Sequence, residues 1–80
     1  MAQTIVTLDQ ALDKIGISAY MLAKESKIRS NTIYEIKNNQ KKMLDIDTIT
    51  IIISTLNRLS KEKGYNKRFD INDILKYIED

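Results

Sequence analysis

Within residues 30–38, Ser30, Asn31, Tyr34, Glu35, Lys37 and Asn38 interleave with two isoleucines, Ile33 and Ile36. Wound as a helix, the stretch puts Ile33 and Ile36 on one face and leaves the polar set on the other. These side chains form hydrogen bonds rather than covalent bonds. An Asn amide such as that of Asn31 can bond an adenine edge bidentately, and a carboxylate such as Glu35 can accept from cytosine N4. Tyr34 could meet a thymine methyl or bond a phosphate. The same residues are equally what an ordinary solvated helix face carries.

Reactive chemistry has little to work with. The chain has no Cys and no His, which removes disulfides, thiolate nucleophiles, the usual zinc sites and the commonest general base. Two carboxylate pairs, Asp9 with Asp13 and Asp45 with Asp47, are explained by helix starts or a solvated face. Gly16 and Gly64 are the only glycines, so no glycine-rich loop exists to cradle a phosphate. The expectation is a protein that is not an enzyme and takes no cofactor and no metal.

Charge points in the same direction as the polar set. Net charge is only +2, but residues 17–44 carry Lys24, Lys27, Arg29, Lys37, Lys41 and Lys42 against Glu25 and Glu35, a local +4. Residues 1–16 and 45–80 each sum to −1. A positive stretch of this kind is the electrostatic footprint of a phosphate ligand, although a solvated basic face has the same composition.

The elements that must hold this stretch follow from apolar spacing and caps. Thr7 and Gln10 read as a capping box for a helix over residues 8–15, which presents Leu8, Ala11, Leu12 and Ile15 to a core and stops at Gly16. Ser18 is a good N-cap for a second helix over residues 19–26. A third begins at Arg29 or Ser30 and reaches about Asn38, with Asn38 and Asn39 able to end it, and the polar run 39–42 forms a surface loop. Asp45 caps a fourth helix to about Leu59, or on to Lys63 before Gly64. Ile46, Ile49, Ile52, Ile53 and Leu56 lie at helical spacing along it, against a rival strand reading of the β-branched residues 48–55. Residues 60–69 are polar and basic and read as a loop, and Asp70 caps a last helix over residues 71–78.

Residues 17–39 also carry a resemblance. Leu22 and Ala23, a short break holding Ile28, and then Ile33 and Ile36 resemble the lambda-repressor-like (Xre-type) helix-turn-helix DNA-binding domain, with a looser match over residues 8–59. Lys27 stands at the turn position where that family usually carries Gly; a left-handed backbone there costs a non-Gly residue about 1 kcal/mol, so the turn is expected to be either slightly strained or shaped a little differently. The resemblance implies an all-α, five-helix bundle in which the third helix lies in the major groove of double-stranded DNA. It also implies that Ser30, Asn31 and Glu35 face the bases, with Tyr34 and Arg29 at the edge. Phosphate anchors would come from the amides behind Ser18 and Ala19, and from Lys37, Asn38, Lys41, Lys42 and Lys27.

What the resemblance implies in function is a small transcriptional regulator, a repressor by occlusion, that binds twofold sites as a homodimer. Ile51, Tyr65, Phe69 and Tyr77 are candidates for the dimer surface, and the three aromatic residues could equally close a small core. The alternative is a helical adaptor whose partner is another regulatory protein. At 80 residues with 42% hydrophobic and 30% charged side chains, the chain is expected to form one domain with a small core. No apolar run is long enough for a bilayer and the start has no signal-like core, so a cytoplasmic protein without membrane contact is expected.

Overall fold

In the computed structural model, which describes residues 2–40 and 43–79, five helices and two short strands follow the chain. The order is β1 (Gln3–Val6), α1 (Leu8–Ile15), α2 (Ala19–Ser26), α3 (Ser30–Lys37), α4 (Ile46–Glu62), α5 (Ile71–Ile74) and β2 (Leu75–Ile78). The molecule is mostly helical, as expected, but not all-α. β1 and β2 pair antiparallel, with Gln3 opposite Ile78 and Val6 opposite Leu75.

Local signals place the helices because each end is decided by residues close by in the chain. Ser18 accepts from the Met21 amide, Asp45 from the Thr48 amide and Asp70 from the Asn72 amide, so these three N-caps expected from the sequence are made. Gly16 (φ 64°) and Gly64 (φ 81°) take the left-handed conformation after α1 and α4, and the amides at and after each return to the last helical turn. α4 is a helix throughout, so the strand alternative for its β-branched centre fails. Once Asp45 starts it, Ile52, Leu56 and Leu59 bury one stripe while Ile49 and Ile53 pack at its margin. Ile46 shares that spacing yet is 79% exposed.

Two expectations are corrected. The last helix stops at Ile74 rather than near residue 78, and Leu75 is extended (φ −129°, ψ 139°). Tyr77 and Ile78 beyond it favour extended backbone, and a partner strand is at hand in β1, so pairing outcompetes a second helical turn. Thr7 makes no capping bond. Its hydroxyl donates instead to the Asp73 carbonyl (3.1 Å), and its amide to the Ile74 carbonyl (2.8 Å), extending the strand ladder by one residue. The capping box appears elsewhere, between Asp70 and Asp73 at the start of α5. Of the two roles left open for the aromatic residues, Phe69 takes the core one at 1% exposed, whereas Tyr65 and Tyr77 remain exposed.

One core serves all of these elements: Leu8, Leu12, Ile15, Leu22, Ile33, Ile36, Ile52, Leu56, Phe69 and Ile74 belong to a single buried cluster. Its edges are closed by two matching devices. The side-chain amide of Asn39 accepts from the Val6 amide (2.6 Å) and donates to the Val6 carbonyl (3.1 Å). Asn57 does the same to Phe69, at 2.6 and 3.1 Å. Each Asn thereby imitates the edge of a neighbouring strand and satisfies both backbone groups of a core residue that has no strand on that side.

Candidate nucleic-acid interface

α2 and α3 are eight residues each and meet through Lys27, Ile28 and Arg29. Apolar burial sets their relative position: Leu22 and Ala23 on α2, and Ile33 and Ile36 on α3, are all at most 5% exposed. Ile28 packs against the same cluster from within the turn. Lys27 adopts the left-handed conformation (φ 63°). Ser26 helps to shape the turn, its hydroxyl donating to the Ala23 carbonyl and accepting from the Ile28 amide, both at 3.3 Å.

With Ile33 and Ile36 turned inward, the polar set of α3 has nowhere to go but out. Ser30, Asn31, Tyr34, Glu35 and Asn38 are exposed, as is Arg29 at the N-cap, and Lys37 is half-buried. The Lys37 ammonium lies 5.9 Å from the centre of the Tyr34 ring, a cation–π distance that steadies the phenol without covering it. Ile33 donates its amide to the Arg29 carbonyl (3.1 Å), but no side chain caps the start of α3.

The far end of α3 is closed by Asn39, left-handed at φ 60°. The Asn39 amide returns to Ile36 (3.1 Å) and the Gln40 amide to Glu35 (2.8 Å), the paired bonds of a Schellman ending. Asn39 was expected to be able to end the helix and to begin a surface loop, but not to hold any other element. It also joins the end of α3 to β1 through Val6.

The structure brings together, on α2, the turn and α3, the residues Ser18, Ala19, Lys27, Arg29, Ser30, Asn31, Tyr34, Glu35, Lys37 and Asn38. Ser18 is exposed and Ala19 is buried, so Ala19 can offer a ligand only its backbone. Lys41 and Lys42 lie outside the described residues. Between α3 and the first turn of α4, a groove of about 330 Å³ is lined by Thr32, Met43, Leu44, Asp45 and Thr48.

Sequence reasoning missed Arg58. Its guanidinium donates to Glu25 Oε1 (2.8 Å), to the Glu25 carbonyl (3.5 Å) and to Glu62 Oε2 (2.9 Å). These bonds, to Glu25 first and then Glu62, raise the Arg58 pKa above its ordinary value. The Glu62 contact is a helical i,i+4 spacing visible in the sequence, but Glu25 lies on another helix and nothing local announces it. By occupying Glu25, Arg58 removes one of the two carboxylates of the basic stretch and ties the last turn of α2 to α4. The face of α2 and α3 is then more positive than its composition alone indicates, with Lys24, Lys27 and Arg29 exposed and unpaired among the described residues.

Among the described residues no cluster of His, Cys, Asp or Glu is arranged to hold a metal ion. No helix there is long and apolar enough to cross a membrane. No family model, curated protein or solved structure matches the chain.

Proposed function

We propose that this protein binds double-stranded DNA at specific sites and acts as a small transcriptional repressor of the lambda-repressor-like kind, with α3 in the major groove. The observation that carries this reading is the division of α3 between a buried pair, Ile33 and Ile36, and an exposed set of base-reading types, Ser30, Asn31, Tyr34 and Glu35. A helix held on a core by one face, with amide, hydroxyl and carboxylate groups on the other, can enter a major groove and discriminate base pairs.

The roles divide by chemistry. Asn31 and Glu35 read base edges, with Ser30 beside them and Tyr34 and Arg29 at the margin. Lys27, Lys37, Lys41 and Lys42 neutralise phosphates, as do the first amides of α2 behind Ser18 and Ala19. Asn38 completes the backbone contacts. Bound at a promoter, the protein would repress by excluding polymerase. A homodimer would present two such helices to a twofold site, with exposed Ile51, Tyr65 and Tyr77 available for the contact.

Selection of bound duplexes from a random pool tests this directly, and a motif with twofold symmetry is the expected product. On the recovered site, Asn31→Ala should lose about 1–3 kcal/mol and relax the preference at one base pair. Lack of any salt-sensitive duplex binding by the wild-type protein would falsify the proposal.

A further inference from the structure

Residues 58–68 carry Arg58, Lys61, Lys63, Lys67 and Arg68 against Glu62, a local +4 that equals the charge of residues 17–44. The acidic tail of the chain conceals this concentration in any average over the C-terminal half. Two of the five cations are occupied: Arg58 holds Glu25 and Glu62, while Lys67 lies 3.8 Å from Asp73 and 5.7 Å from the Phe69 ring centre. Lys61, Lys63 and Arg68 are exposed and meet no carboxylate among the described residues.

The backbone that displays them is firmly held. Fully buried Ser60 shares its hydroxyl proton between the carbonyls of Tyr65 and Lys67, each at 2.8 Å. The Tyr65 amide returns to the Ser60 carbonyl (2.9 Å), and Phe69 closes the segment in the core under the Asn57 clamp. Its position is equally defined. Arg58 grips the last turn of α2, and the Tyr65 hydroxyl comes within 3.9 Å of where a Cβ on Gly16 would sit. The end of α4 is therefore tied to the last turn of α2, and the Tyr65 side chain of the loop after it reaches Gly16, two residues before Ser18.

We propose that Lys61, Lys63 and Arg68 form a second, sequence-independent contact with the sugar-phosphate backbone of the bound duplex, flanking the bases read by α3. This inference rests on the DNA-binding reading of α3. Charge selects the ligand class: three unpaired cations on a segment whose Tyr65 reaches the residue two before the proposed phosphate anchor at Ser18 favour a polyanion that continues past that anchor. Lys and Arg contacts to phosphate carry no base information, so this surface would add affinity without altering the site preferred.

The test is the triple variant Lys61→Gln, Lys63→Gln, Arg68→Gln, with Arg58 and Lys67 left intact because both hold the fold. Affinity is measured across a salt series on the selected duplex and on an unrelated one. The dependence of log K on log salt should become shallower by about 2–3, roughly 0.9 per lost phosphate contact. The affinity ratio between the two duplexes should stay as in the wild type. Lys63→Gln alone should shift the slope by about 0.9, which preserves the test if the triple variant folds poorly. Lys76→Gln removes one exposed cation on β2 and should leave the slope unchanged.

An unchanged slope in the variants would overturn the inference, as would an equal change from Lys76→Gln, which would make the effect one of net charge. A variant that keeps its DNA slope but no longer binds an acidic protein would overturn it too, and assign the patch to that partner. If the wild type binds no duplex at all, the reading of α3 fails first and takes this one with it. That outcome is distinct, because Asn31→Ala then has no affinity to change.

Discussion

α3 is bounded by two left-handed residues, Lys27 before it (φ 63°) and Asn39 after it (φ 60°), and neither is glycine. Elsewhere the chain uses glycine for this conformation, at Gly16 and Gly64. At Asn39 the exception has a structural cause. Asn tolerates the left-handed region better than most residues, and its amide satisfies both backbone groups of Val6. At Lys27 no such compensation exists: the side chain is exposed and makes no hydrogen bond or ion pair among the described residues. Folding explains the residue chosen at one end of α3 and not at the other. A local cost that the fold does not offset points to a residue kept for what it does outside the fold, and on the proposed function Lys27 is kept for its charge.

The comparison can be broken from either end. The largest effect is expected from Asn39→Ala, which forfeits both bonds to Val6 and leaves a β-carbon in an unfavourable backbone well. Urea unfolding should register a loss of about 2–4 kcal/mol. Asn39→Gly loses the same bonds without the backbone penalty, so its loss should be smaller by about 1 kcal/mol. A glycine variant as stable as the wild type would mean that water serves Val6 equally well, and the clamp would lose its significance.

Lys27→Gly should move the other way, raising stability by about 0.5–1 kcal/mol. In a domain of this size that corresponds to a melting temperature higher by roughly 2–8 °C. The same substitution should weaken duplex binding and flatten its salt dependence by about 0.9. Gains in both stability and affinity would show that the lysine is merely tolerated. The smallest effect belongs to Lys27→Asn, which relieves part of the strain and removes the charge. Its stability should change by only a few tenths of a kcal/mol, while its salt slope should match that of Lys27→Gly.

Local physics made much of this molecule legible in advance. The starts of α2 and α4 follow from the oxygen-bearing side chains of Ser18 and Asp45, and two helix ends from Gly16 and Gly64. The inward pair Ile33 and Ile36 follows from a period of about 3.6 residues, and that pair alone decides which α3 side chains are left outside. At Lys27 the pattern left a strained left-handed turn or a differently shaped one, and the structure takes the first. The β-rich tail was misread because its apolar spacing fits a short helix as well as a strand, and only the presence of β1 beside it decides. Thr7 was misassigned for a related reason: its hydroxyl could serve the helix that follows it or the Asp73 carbonyl of a distant segment, and the second partner is invisible until the chain folds back.

What the amino-acid sequence determined by itself is therefore the set of helices, most of their limits, and the polar identity of the α3 face, since each depends on neighbours within about one helical turn. The tertiary structure decided the rest: the pairing of Gln3–Val6 with Leu75–Ile78, the Asn39 and Asn57 clamps, the capture of Glu25 by Arg58, and the approach of Tyr65 to Gly16. All of these join residues that chain distance keeps apart. Their energies come from backbone groups and charges that find partners only after burial of the core has brought the segments together.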